Sequence, residues 1–230
     1  MPSRSILGTR KARYILAGSI LAIAISVALY NAAQNGSYKN SKAWNFDSYQ
    51  DSIIPDGFES VQLGSVQGSW IIKSDNSAPS KPNVLVKLPI NNTDSFYHIQ
   101  LMPDGITTSE SLTSVKFKIV SGEKERAAGL VVRFQGSSHY FVLMADAVNS
   151  RFSLCKAEPD RLLCRYDRSV TITTGEWHTI TAQVSKMGIA GSLDDKLLIK
   201  ANDAYYQQGQ PGLWTKGDSQ VYFDDLKIDY

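Results

Sequence analysis

Histidine and cysteine are scarce in this chain, three and two among 230 residues. None of His98, His139 and His178 has metal-ligand spacing to another His or to a Cys, so no His/Cys metal centre is expected. Glycine-rich phosphate loops and the GxGxxG pattern are absent, and no Ser-His-Asp set can be argued from spacing. After Ala43 no stretch carries a 3.6-residue period, which argues against helices in the domain. Acidic residues are missing from positions 1–43, which hold six basic ones: Arg4, Arg10, Lys11, Arg13, Lys39 and Lys42. The remainder holds 18 basic and 22 acidic side chains, a net of −4. A mildly acidic domain is a poor electrostatic partner for nucleic acid.

What is present begins with RKARYILAGSILAIAISVALYNAA. Residues 1–13 are a basic flank, and Tyr14 to Tyr30 is a run of 17 residues interrupted only by Gly18, Ser19 and Ser26. As a helix it spans about 25 Å, short of a ~30 Å hydrocarbon layer, and residues 31–33 close most of the gap. Two readings stay open. Residues 14–33 are a transmembrane helix with the basic flank in the cytoplasm, or a signal segment cleaved near Ser26-Val27-Ala28, which releases the domain. Both place the domain outside the cytoplasm. Residues 34–43 are small and polar and read as a linker.

From Trp44 to Tyr230 the pattern has period two, broken by Gly, Pro, Asn and Asp. SVKFKIVSG sets Val115, Phe117 and Ile119 against Lys116 and Lys118. NVLVKLP alternates Val84, Val86 and Leu88. WHTITAQV sets His178, Ile180, Ala182 and Val184 on one face. VYFDDLKIDY sets Tyr222, Leu226, Ile228 and Tyr230 against Phe223 and Lys227, with one Asp on each face. Many short strands between turn residues predict an all-β sandwich or barrel. A hairpin turning over 158–161 would set Cys155 opposite Cys164 and permit a disulfide, the alternative being two separate small core residues.

Four stretches carry a further pattern: DNSAPSKPNVLV (75–86), IVSGEKERAAGLVVRFQ (119–135), GEWHTI (175–180) and GQPGLWTKGDSQVYFDDL (209–226). Together they resemble the concanavalin A-like lectin/glucanase superfamily, nearest to its extracellular keto-disaccharide-hydrolase-like family. The resemblance covers 44–230 and implies a jelly-roll sandwich of two antiparallel sheets. It also implies that Trp44-Asn45-Phe46-Asp47 lies beside Phe223-Asp224-Asp225. The chain departs from the family pattern at Asp194-Asp195, at Ser138-His139-Tyr140-Phe141 and at Met144-Ala145-Asp146.

The chemistry is less defined. Retaining glycosidases need two carboxylates about 5 Å apart, and no Glu-x-Asp-x-x-Glu motif supplies them. The nearest match, Glu123-Lys124-Glu125, reads as a solvated turn, and no catalytic residue is assigned. Trp214 is the first binding candidate, because sugar C–H groups pack on an indole. Its alternative is to fill the sandwich core. Lys216 shares its strand face, and Arg133 and Tyr140 complete a candidate ligand set. Asp224 and Asp225, with Asp47 as a third oxygen donor, form a candidate calcium set. Against it, adjacent strand residues face opposite ways. The sequons Asn35-Gly36-Ser37 and Asn91-Asn92-Thr93 are candidate glycan acceptors. The expected protein is a membrane-tethered extracytoplasmic module that binds carbohydrate or another cell-surface ligand without catalysis. Its alternatives are a glycan-active hydrolase and a structural or adhesion module of the cell envelope.

Overall fold

A computed structural model describes residues 38–63, 68–90, 96–203 and 205–230. The proposed membrane or signal segment and both sequons' asparagines, Asn35 and Asn91, lie outside the described residues. Among the described residues no helix is long and apolar enough to cross a membrane.

Residues 40–230 form one compact unit. Its strands are β1 (Ser41–Trp44), β2 (Glu59–Gln62), β3 (Trp70–Ser74), β4 (Asn83–Lys87), β5 (Tyr97–Leu101), β6 (Ser111–Ser121), β7 (Ala127–Gly136) and β8 (His139–Asp146). They continue as β9 (Arg151–Glu158), β10 (Arg161–Ser169), β11 (His178–Ser185), β12 (Gly188–Leu193), β13 (Lys196–Ala201), β14 (Gln210–Lys216) and β15 (Gln220–Asp229). Sheet A runs β13-β12-β11-β6-β15-β4-β3, with β1 also on β15. Sheet B runs β10-β9-β8-β7-β14-β5-β2. The strand pairings within both sheets are antiparallel. The all-β sandwich expected from the period-two pattern is thus present. Strand β1 lies largely inside the stretch read as linker, because it occupies the side of β15 that β4 leaves free: β4 pairs with 221–223 and β1 with 226–229.

The inter-sheet core holds Val115, Phe117 and Ile119 from β6 and Ile180, Ala182 and Val184 from β11, as alternation predicts. One predicted phase is corrected, that of β15. In β4 the alternation holds: Val84, Val86 and Leu88 share one cluster with Tyr222, and Leu85 enters the core from the other face. Every side chain of β4 is buried, so hydrophobicity alone does not mark which face is inner. In β15 the core residues are Val221 and Phe223, then Leu226 and Ile228. A bulge between Asp224 and Lys227, with Asp225 at φ 47°, absorbs one residue and flips the phase. Tyr222 therefore faces away from the core that Leu226 enters.

Sheet B carries a second apolar layer on its other face. Ile99, Leu101, Val131, Tyr140, Val142, Met144, Cys155 and Trp214 are buried there, apart from the inter-sheet core. Alternation explains the division: Leu130, Leu143 and Leu154 face the core while their neighbours Val131, Val142 and Cys155 face outward.

Candidate functional site

The predicted hairpin forms in the predicted register. Ala157 pairs with Leu162 and Cys155 with Cys164, and the two cysteines are joined by a disulfide with Cα atoms 3.9 Å apart. The bridge clamps β9 to β10 just below their turn. That turn forms one wall of a cleft of about 450 Å³. Ala157, Glu158, Pro159, Asp160, Arg161 and Leu162 line this wall, and Leu63, Phe96, Tyr97, Ser137, Ser138 and Tyr140 line the rest.

The floor of the cleft is the outer layer of sheet B. Tyr97 stacks on Trp214 with centroids 5.4 Å apart and planes at 29°. Tyr140 packs against Phe134 at 5.8 Å. Burial pushes both phenols above their ordinary pKa, and the Lys216 ammonium pulls Tyr97 part of the way back. Both rings are therefore neutral at physiological pH and keep the hydroxyl proton. The rim is polar: Glu158 accepts from Arg161 Nε at 3.0 Å, while Pro159, Asp160 and Arg161 are exposed. Aromatic edges and a mixed-charge rim can pack against the C–H face of a neutral polyol and hydrogen-bond its hydroxyls.

The sequence candidates are distributed differently from expectation. Trp214 is 0% exposed. It fills neither a binding surface nor the inter-sheet core, but the second layer beneath the cleft. Tyr140, 1% exposed, is a floor residue. Lys216 forms an ion pair with Glu125 at 2.6 Å. Arg133 does not join the Trp214 face. Its φ of 55° and a register break between Val132 and Gly136 turn it aside. Its guanidinium then donates to the carbonyls of Asp203 and Ser185. Gly209 permits this kink, since a Cβ there would lie 2.3 Å from the Arg133 carbonyl carbon. Arg133 thus braces β7 against β11.

The three aspartates of the calcium set have separate partners. Asp47 Oδ1 accepts the Asn83 N–H at 3.0 Å. Asp224 accepts from the Ser80 N–H and hydroxyl, both at 2.8 Å, and burial raises its pKa against those bonds. Asp225 pairs with Lys116 at 2.8 Å. Among the described residues no group of three or more His, Cys, Asp or Glu is placed to hold a metal ion. Glu123 and Glu125 lie on a turn whose backbone N–H groups donate to Asp218.

His178 is held from both sides, by Asp194 Oδ2 at 2.7 Å and Thr173 Oγ1 at 2.9 Å. Thr173 Oγ1 also donates to Glu176 at 2.6 Å, so the set ties a loop to the β12–β13 turn. A second cleft of about 320 Å³ opens where the β15 bulge leaves Trp44, Val115 and Leu226 around the Lys116–Asp225 pair. Its ionic groups already satisfy each other.

No family model matches the sequence, and no curated protein matches it. Solved structures do match. The carbohydrate-binding module CBM66 from Bacillus subtilis superposes with a TM-score of 0.60 at 15% identity, covering 76% of this chain and 96% of the module. The fold is an antiparallel two-sheet jelly-roll sandwich. The cellulose-induced protein Cip1 matches at 0.58 and 14% identity, over 81% of this chain and 96% of Cip1. A Bacteroides ovatus GH16 protein in complex with a mixed-linkage glucan product matches at 0.57 and 8% identity, over 81% and 99%. At these identities the likeness establishes the architecture alone.

Proposed function

We propose that this domain binds a neutral saccharide, without catalysis, in the cleft between the β9–β10 turn and Tyr97. The observation that carries the reading is the pairing of aromatic floor and polar rim in one cleft, on a hairpin fixed by a disulfide. Glu158 and Asp160 against Arg161 leave the rim slightly acidic, which disfavours uronic or sulfated glycans. The disulfide and the apolar run at 14–33 favour an extracytoplasmic domain tethered to a membrane, or released if that segment is cleaved. The names of several structural neighbours point to the same ligand class.

A second reading has one specific observation behind it. Glu158 and Asp160 border the same cleft, and a pair of carboxylates is what most retaining and inverting glycosidases use, which fits the hydrolase label of the family the sequence resembles. The test is a glycan array probed with the full-length protein in a sugar-free detergent, with and without calcium, followed by product analysis on every hit. Binding of neutral glycans with no product supports the first reading, and released sugar supports the second. An array without hits, in either condition, contradicts both.

A further inference from the structure

Tyr205 is 69% exposed, yet its ring is held in place. The Lys156 ammonium sits 3.4 Å from its centroid, and Tyr206 meets it edge-on at 4.9 Å and 85°. Tyr206, only 6% exposed, is anchored by Phe141 at 5.3 Å and His139 at 5.9 Å. An exposed tyrosine with such support has already lost most of its rotamer freedom, so a ligand stacking on it meets little ordering cost.

This ring lies around the strand ends of sheet B from the cleft: its neighbour Tyr206 packs with Phe141 in the inter-sheet core, whereas the cleft floor is the outer layer. At the start of β8, Ser138 and Tyr140 line the cleft while His139 between them points to Tyr206. At the end of β9, Lys156 holds Tyr205, and Glu158, about 7 Å further along the strand, lines the cleft.

We infer that Tyr205 is a second saccharide subsite, contacted by a chain that begins in the cleft and crosses the β8–β9 rim. The inference rests on the cleft reading and extends it: the ligand is an oligosaccharide. Lys156 covers one face of the ring, and its exposed remainder offers a stacking surface for one sugar.

The experiment is calorimetric titration of the full-length protein with matched mono- and tetrasaccharides of the cello, laminari, xylo and inulo series. Tyr205→Ala is expected to weaken the best tetrasaccharide about tenfold and leave the corresponding monosaccharide unchanged. Tyr205→Phe, which keeps the ring, is expected to bind as the wild type. Equal tetrasaccharide affinity in the Tyr205→Ala protein overturns this subsite and leaves the cleft reading standing. A wild-type protein that binds no saccharide of any series overturns the cleft reading and the subsite with it.

Discussion

The outer faces of the two sheets are finished in different ways. On sheet A, charged side chains stand over the surface and are paired. Lys116 meets Asp225, and Lys118 meets Asp75 while lying 5.0 Å from the Trp177 and Tyr222 ring centroids. Among the described residues sheet A has only a small apolar cluster around Val84 and Val86, whereas on sheet B the outward apolar layer is larger, lies alongside the Lys216–Glu125 pair and ends at an open cleft with a polar rim. Paired charges leave little for a ligand to gain. An apolar floor with an exposed polar rim leaves more, so the difference between the faces points to where binding chemistry sits.

The comparison breaks first if the outer layer of sheet B is not a true core. Trp214→Ala is expected to destabilise by about 3–5 kcal/mol, as much as Phe223→Ala between the sheets. Denaturant titration of both variants checks this, and a loss well under that range for Trp214→Ala would contradict the equivalence.

The inter-sheet side carries its own polar group, which sharpens the contrast. Burial, then the nearby Lys87 charge, lowers the His98 pKa to about 4, and a hydrogen bond involving the Gly217 backbone opposes them. The unfolded chain takes up this proton near pH 6.5. Stability is therefore lost as pH falls from about 6.5 to 4, by about 3 kcal/mol in all. Denaturation midpoints across that range should fall for the wild type and much less for His98→Gln.

Reduction of the Cys155–Cys164 bridge is expected to remove roughly 2.7 kcal/mol by the loop-entropy estimate. It should also weaken saccharide binding, because the bridge holds the cleft wall. A reduced protein with unchanged affinity would detach the wall from the site. The smallest effect on stability belongs to the exposed Glu158–Arg161 pair. Arg161→Ala should shift unfolding by less than about 1 kcal/mol, while its effect appears in affinity.

Much of the fold is legible in the sequence. Val115, Phe117 and Ile119 show their inward face because Lys116 and Lys118 mark the other. The hairpin register followed from Pro159 and the cysteine spacing alone. In β4, with both faces buried, the alternation is legible but not which face is inner, and in β15 one residue at the Asp225 bulge changes the phase. The site was less legible. Trp214 was singled out by its type, and type does not tell a stacked core ring from a binding ring. The cleft draws on positions near 63, 96, 137 and 158, and only folding brings those together. Tyr205 carried no sequence signal, since its support by Lys156 is a contact between distant segments.

The most direct measurement is hydrogen–deuterium exchange of the full-length protein with and without the strongest neutral saccharide from the array. Binding in the cleft predicts slowed exchange at residues 96–97, 137–140 and 157–162. Protection confined instead to residues 43–45 and 114–116, around the cleft on sheet A, would contradict that placement.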